Sequence, residues 1–169
     1  MKDLWSKISS KLYGIITVAG VNCVDNDVLC DEFEAYGCPA IFVAPANIES
    51  DYIKYQGQDK LGRIASFAVK HMENFAQIVN EFNYERFSGE QLNKMKVLLF
   101  TNKNKTAPLL KALSKEYRKT LVFGEVRKNE KTIIGKYNVT KLPTIMVLTG
   151  GSGGEENTGV VYEGPLRKD

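Results

Sequence analysis

The sequence predicts an α/β protein built from two tandem copies of one small domain. Short apolar runs of strand character alternate with segments of helical periodicity along the 169 residues, a pattern typical of strand–helix units with a partly parallel sheet. The motif around Pro39 returns around Pro143, 104 positions later, and this offset matches the size of one small domain. A hydrophobic content of 43% and a charged content of 25% are those of an ordinary globular chain.

The first copy begins with a helix whose apolar residues recur at helical spacing, and Gly14 is placed to end it. The elements predicted after it are a buried strand at 15–21, a short helix at 26–36, strands at 40–43 and 52–55, and an amphipathic helix at 61–72. The aromatic residues, Trp5 and Tyr13 among them, are expected to lie in the core. Residues 1–72 form the first predicted domain.

The second copy, residues 73–169, follows the same alternation. Its predicted elements are strands at 75–79, 96–100, 121–126, 144–148 and 160–162 and helices at 84–92, 106–119 and 130–137. Residues 149–159 are rich in Gly, Glu and Asn and predict a hairpin loop. A glycine-rich loop that binds phosphate precedes a helix, whereas a strand follows this one, so no phosphate site is expected.

Comparison of the two copies predicts that each lacks an element of the other. The opening strand, helix and strand of the second copy have their first-copy counterparts before Met1, so residues 1–72 are expected to form a domain without them. The helix that follows Gly57 has no counterpart after Gly164, so residues 73–169 are expected to lack the closing helix. We therefore expect the chain to be a window of a longer tandem protein.

Charge, hydropathy and residue counts exclude several classes of function. A net charge of +3 without a Lys/Arg block gives no nucleic-acid surface, and no apolar run approaches the ~18 residues of a membrane span. The single histidine, His71, lies far from Cys23, Cys30 and Cys38. A zinc site would need ligands from elsewhere, and His71 is expected to be an ordinary helix residue. No metal and no cofactor are expected.

Residues 22–33, Asn-Cys-Val-Asp-Asn-Asp-Val-Leu-Cys-Asp-Glu-Phe, and 36–41, Tyr-Gly-Cys-Pro-Ala-Ile, resemble the protein disulfide isomerase family. The thioredoxin-fold domains of that family carry a strand ending in an Asp/Asn-Cys pair, then Leu-Cys, an aromatic residue, Gly-x-Pro and the next strand. Residues 137–145 resemble the same segment with the cysteines lost. The resemblance implies two tandem thioredoxin-like domains.

A second stretch carries a narrower resemblance. Residues 96–103, Lys-Val-Leu-Leu-Phe-Thr-Asn-Lys, together with 108–113, Pro-Leu-Leu-Lys-Ala-Leu, are similar to DnaJ–thioredoxin fusion proteins of the secretory pathway. Trp5 also fits, because a tryptophan follows the active-site Cys-x-x-Cys on the same helix in this family. The resemblance implies a place in the lumen of the endoplasmic reticulum.

The family's catalytic Cys-x-x-Cys would precede Met1 in the first domain, and the equivalent loop of the second domain, near 101–106, has no cysteine. No catalytic residue is therefore expected in this chain, and the chain alone is expected to be inactive. The resemblance implies that the full-length protein is a thiol–disulfide oxidoreductase or isomerase acting on folding polypeptides. The alternatives are a non-catalytic thioredoxin-like chaperone or client-binding scaffold, and a cytosolic redox sensor that uses Cys38.

The cysteines carry the remaining chemistry. The resemblance implies a structural disulfide between Cys23 and Cys30, and the alternative is a pair of free buried thiols that behave as small hydrophobes. Cys38 is either a small residue that fits a tight turn or a trap for the catalytic pair that the chain does not contain. A disulfide would need an oxidising compartment to persist.

The resemblance also assigns the two repeated prolines. Pro39 and Pro143 are expected to follow cis peptide bonds, with the backbone of the preceding residues, Cys38 and Leu142, facing a groove that binds extended peptide.

The expected partners are unfolded or disulfide-containing polypeptides, and an Hsp70 chaperone through a DnaJ domain outside this chain. Asn104 and Asn138 begin N-glycosylation sequons, which add weak support for a lumenal location.

Overall fold

The computed structural model describes residues 1–44, 52–91, 93–149 and 158–165. The chain divides into two compact units, Met1–Met72 (unit 1) and Glu73–Asp169 (unit 2). Among the described residues, a two-stranded sheet and a five-stranded sheet are present, and no sheet runs through both units. The architecture is therefore α/β in two tandem units.

Unit 1 has a small helical core and one short hairpin of strands. Its elements are α1 (Lys2–Leu12), α2 (Asp27–Glu32), β1 (Phe42–Val43), β2 (Ile53–Lys54) and α3 (Leu61–Lys70). β1 pairs with β2 in antiparallel register. Helix α1 packs on α3 because Ile8 and Leu12, on one face of α1, meet Ile64, Ala65 and Ala68.

Unit 2 contains a mixed sheet flanked by short helices. Its elements are β3 (Gln77–Val79), α4 (Tyr84–Gly89), β4 (Met95–Thr101), α5 (Pro108–Glu116), β5 (Leu121–Arg127), α6 (Lys131–Lys136), β6 (Thr144–Thr149) and β7 (Thr158–Val161). The strand order is β3-β5-β4-β6-β7. The β3–β5 and β4–β5 pairs are parallel, whereas β6 pairs antiparallel with both β4 and β7.

Strand β4 lies at the centre of this sheet and is buried on both faces. Leu98 and Phe100 pack into one apolar cluster, whereas Val97 and Leu99 pack into another. Alternate residues of a strand point to opposite faces, so a continuous apolar run is what a doubly covered central strand requires.

The two units repeat each other in backbone detail at the offset of 104. Helix α2 maps onto α6 residue for residue. The amides of Glu34 and Asn138, both in the left-handed region, donate to the carbonyls of Asp31 and Gly135. The carbonyls of Ile41 and Ile145, also 104 positions apart, each accept a tyrosine amide over 2.8 Å, from Tyr55 in unit 1 and from Tyr162, 107 positions later, in unit 2. The repeat seen in the sequence is therefore a repeat of structure.

The strand expected at 15–21 is absent, and this prediction is wrong. Residues 17–20 have no regular structure, and Val21 is 53% exposed. The equivalent segment of unit 2 is β5, which is held between β3 and β4. No described residue of unit 1 supplies such neighbours, so the backbone of 15–21 has no ladder to join.

Other boundaries and burials also differ from expectation. Tyr13 is 72% exposed rather than in the core, because α1 ends at Leu12 and Tyr13 leaves the buried face. The helix expected at 84–92 ends at Gly89, and Leu92 lies outside the described residues. Most of the hairpin loop expected at 149–159 falls on residues 150–157, which also lie outside them.

In the part of the chain that the structure describes, no helix has both the length and the hydropathy needed to cross a membrane. The same residues contain no group of three or more His, Cys, Asp or Glu side chains arranged to hold a metal ion.

Candidate functional site

Unit 1 brings its three cysteines together. Cys23 and Cys30 are joined in a disulfide, with their Cα atoms 5.7 Å apart. Cys30 lies on the short helix α2, which begins at Asp27, just after the loop that carries Cys23. Cys38, the free and exposed cysteine, places its Sγ 3.9 Å from the Sγ of Cys23. A thiol and a disulfide are therefore in contact at one place in the fold.

The position of Cys23 is set by the side chain of Asn22. Its amide nitrogen donates to Asp25 Oδ2 over 2.5 Å, and its amide oxygen accepts the backbone N–H of Val24 at 3.2 Å. The carbonyl of Asn22 accepts a bond from Asn26 Nδ2 at 3.0 Å. Asn and Asp side chains stabilise turns in this way by replacing backbone partners. The loop before α2 is thereby fixed around Cys23.

Phe33 connects this site to the hairpin of unit 1. Its ring stacks on Tyr52 with centroids 3.7 Å apart and meets Phe42 edge-on at 5.5 Å. Aromatic pairs of these geometries are favourable beyond the area that they bury. The end of α2 and the residues around Pro39 are consequently held against β1 and β2.

An apolar cavity of about 600 Å³ lies beside the cysteines. Its walls include Trp5, Ile8 and Leu12 of α1 together with Ile41 and Val43 near β1, and all three cysteines also line it. In unit 2 the counterpart of β1 is β6, which pairs with β4 on one side and β7 on the other. Among the described residues β1 pairs with β2 alone, so unit 1 has a cavity near a strand that has only one partner.

Unit 2 carries a counterpart of this site without sulfur. At the offset of 104, the positions of Cys23, Cys30 and Cys38 hold Arg127, Ile134 and Leu142, and the last two pack against the main apolar cluster. Apolar contact therefore replaces the covalent link there.

The peptide bonds Cys38–Pro39 and Leu142–Pro143 are both cis. Each proline is exposed and lies just before a strand, β1 in unit 1 and β6 in unit 2. Tyr137 positions the second loop, since its hydroxyl lies 2.6 Å from that of Tyr84 and its ring meets Phe100 edge-on.

A buried carboxylate in β5 was not singled out from the sequence. The Glu125 side chain is 0% exposed, and its Oε1 accepts a bond from Arg127 Nε at 3.2 Å. Oε2 has no hydrogen-bond partner among the described residues. The available signal was one acidic residue inside an apolar strand run, Leu-Val-Phe-Gly-Glu-Val, because such a residue is buried whenever the strand is central.

The remaining candidates are two asparagines of unit 2 and the histidine of unit 1. Asn104 and Asn138 are both exposed in unit 2. His71 follows α3, is half-buried, and lies against Phe67 with ring centroids 4.7 Å apart.

Similarity to known proteins covers most of the chain. Over 158 residues, 90% of this chain and 38% of the relative, it is 32% identical to a "Putative protein disulfide-isomerase" of Dictyostelium discoideum. Over 119 residues, 67% of this chain and 33% of the relative, it is 26% identical to a mitochondrial thioredoxin domain-containing protein of Schizosaccharomyces pombe. The chain thus spans between 33% and 38% of these curated relatives. No protein-family model matches it.

A crystal structure of ERdj5 superposes on 96% of this chain with a TM-score of 0.67. The two sequences are 16% identical in that alignment, which covers 23% of the ERdj5 chain. At this level of identity the likeness is one of fold.

Proposed function

Because the chain is a tandem thioredoxin-like protein similar in sequence to protein disulfide isomerases, we propose that it is part of a disulfide oxidoreductase or isomerase acting on folding polypeptides. The sequence similarity that extends over 158 residues carries this proposal. The chain contains no Cys-x-x-Cys, so the family's exchange step, in which a thiolate attacks a substrate disulfide, is assigned to the rest of the full-length protein.

In this proposal the two units of the chain bind the polypeptide. The loops ending at Pro39 and Pro143 are exposed and lead directly into strands β1 and β6. A chain segment in extended conformation can pair with backbone groups at such a place while its side chains enter neighbouring apolar space. The cavity lined by Trp5 and Ile8 offers that space in unit 1.

The finer setting of the full-length protein belongs to the proposal too. A disulfide such as Cys23–Cys30 persists in an oxidising compartment, which supports the lumen of the endoplasmic reticulum. The resemblance to DnaJ–thioredoxin fusion proteins adds an Hsp70 partner that would bind through a DnaJ domain outside these residues.

Amide hydrogen exchange with an unfolded polypeptide tests the binding role. The probe is reduced, carboxymethylated lactalbumin, whose cysteines are blocked so that binding is measured without exchange of disulfides. We expect added protection in residues 36–43 and 141–146 only. The matched control is Phe82→Ser, since Phe82 is 100% exposed and lies outside both loops. Unchanged protection of the two loops in this variant excludes nonspecific binding of the polypeptide through this exposed apolar side chain. Absence of protection in both loops would contradict the binding role.

A non-catalytic chaperone or scaffold is the second candidate, favoured by the cysteine-free segment 101–106 of unit 2. Reduction of insulin by the full-length protein separates the two candidates. Turnover supports the oxidoreductase, whereas binding of unfolded chains without turnover supports the chaperone.

A further inference from the structure

The contact between the free thiol and the disulfide has a chemical consequence. Disulfides rearrange when a thiolate attacks one of their sulfur atoms, and the rate depends on access to that sulfur. Cys38 is exposed, and its Sγ lies 3.9 Å from Cys23 Sγ. The nucleophile and the bond that it would attack are therefore already adjacent in the folded chain.

We infer that Cys38 exchanges with the Cys23–Cys30 disulfide, so that unit 1 is a three-cysteine exchange site with two disulfide isomers. The Cys38 thiol first loses its proton to solvent. Its thiolate sulfur then attacks Cys23 Sγ, a Cys23–Cys38 bond forms, and the Cys23–Cys30 bond breaks. Cys30 leaves with the electron pair of the broken bond as a thiolate and takes a proton from solvent. The number of disulfides does not change, so no oxidant or reductant is needed.

The local structure shows why Cys23 is the sulfur that is attacked, whereas Cys30 and Cys38 alternate as the free thiol. Asn22 holds the turn that carries Cys23, because its Nδ2 donates to Asp25 and its Oδ1 accepts the backbone N–H of Val24. Cys38 instead follows Gly37, which has a φ of +85° and nothing within 4 Å of the place where a Cβ would stand. Glycine adopts this positive φ without steric cost because it has no Cβ. Cys23 is thus the fixed member, and Cys38 is the member with room to move.

Exchange changes which cysteine is available to a substrate. In the second isomer the disulfide includes Cys38, which directly precedes Pro39 in the loop assigned above to polypeptide binding. A cysteine thiolate of a bound polypeptide can then attack Cys38 Sγ, forming a mixed disulfide and releasing Cys23 as a thiolate. This consequence depends on the proposed function, whereas the exchange itself does not. The substrate class is a polypeptide thiol, and the route does not use a Cys-x-x-Cys.

The sequence permits a direct test by mapping the free thiol. No Lys or Arg lies between Lys11 and Lys54, so trypsin leaves all three cysteines on one peptide. Asp25 and Asp27 separate Cys23 from Cys30, and Asp31 separates Cys30 from Cys38. Cleavage at acidic residues therefore resolves them. The wild-type chain is incubated without added thiol at mildly alkaline pH, quenched in acid, labelled with N-ethylmaleimide and mapped without reduction.

The expected label is on Cys38 at first and then on Cys30 as well, rising several-fold over a sample quenched at once, while Cys23 stays unlabelled. Label on Cys38 alone at all times would overturn the inference. Label on Cys23 equal to that on Cys30 would also overturn it, because it would show general scrambling instead of attack at one sulfur. The matched control is Cys38→Ser, which should leave Cys30 unlabelled.

A second variant gives an independent measurement. Cys30→Ser leaves only the thiols of Cys23 and Cys38, and oxidised glutathione should convert them to an internal disulfide that releases both glutathione molecules. Stable glutathione adducts on both cysteines would count against the exchange. Neither experiment contains a polypeptide substrate, so its failure is distinguishable from failure of the binding role.

Discussion

Residues 17–23 of unit 1 and strand β5 of unit 2 occupy the same place in the repeat but have different structures. Strand β5 pairs along its length with β4 and over Gly124–Val126 with β3, and Glu125 within it is 0% exposed. Its counterpart Val21 is 53% exposed and lies outside any strand. The acidic residue is therefore buried and the valine is exposed, whereas their hydropathies predict the opposite.

This comparison shows that strand formation here is decided by neighbours more than by residue type. Valine favours strands, but that preference reflects packing on a pleated, half-buried surface. A two-stranded hairpin such as β1–β2 is marginal by itself, and unit 1 relies on helix packing and on its disulfide instead. Substitutions in the two units test this difference, with effects that decrease from the buried leucines to Lys96.

The same leucine truncation in the two units should have different costs. Leu98 is 0% exposed and packed on all sides in β4, so Leu98→Ala should lower the free energy of unfolding by about 3–5 kcal/mol. Leu12 is buried but lines the apolar cavity, so Leu12→Ala should cost about 2 kcal/mol, at the low end of that series. Urea titration followed by circular dichroism measures both. Trp5, the one tryptophan, reports unit 1. Equal losses would contradict the assignment of an unfilled space to unit 1.

Removal of the partner of Glu125 tests the burial of β5. Arg127→Ala leaves a fully buried carboxylate without its ion pair, and should destabilise unit 2 by about 3 kcal/mol. Adding Glu125→Gln, which removes the charge at nearly constant size, should recover much of that loss. Thermal unfolding measures the stability of the single and double variants. A double variant no more stable than Arg127→Ala would show that the unpaired charge is not the cause of the loss.

Loss of the disulfide should lower the stability of unit 1 and leave the stability of unit 2 unchanged. Cys30→Ser, made in a Cys38→Ser background so that Cys23 has no other thiol to pair with, opens a loop in which six residues separate the paired cysteines. It should lower stability by about 2 kcal/mol through the entropy of the unfolded chain. Trp5 fluorescence during urea unfolding measures the change, and Cys38→Ser alone, which keeps the disulfide, is the control. An unchanged midpoint in the double variant would mean that the bond does not hold unit 1 together.

The smallest expected effect concerns Lys96 at the start of β4. Burial lowers the pKa of Lys96 below the ordinary lysine value. Between the lowered and the ordinary pKa the unfolded chain binds more protons, so stability rises with pH in that window. Lys96→Met should therefore stabilise unit 2 slightly at neutral pH, with a gain that shrinks as the pH approaches the ordinary value. A gain that is constant with pH would contradict this cause.

Much of the fold follows from the sequence. The α/β class in two tandem units is confirmed, and the apolar run of β4 and the amphipathic pattern of α3 are strong local signals. The prediction for 15–21 is wrong because composition does not reveal whether a strand has neighbours. Within the site, spacing gives no information on the contact between Cys38 and Cys23, since the two residues are 15 positions apart and are brought together by the loop that follows α2.

The central claim is that one folding pattern occurs twice here and that the described residues of unit 1 do not supply the strand neighbours that β5 has in unit 2. Amide hydrogen exchange of residues 17–21, compared with 121–125, tests it most directly. The account predicts slow exchange in β5 and exchange close to that of an unfolded peptide in 17–21. Equally strong protection of 17–21 in a monomer would contradict it.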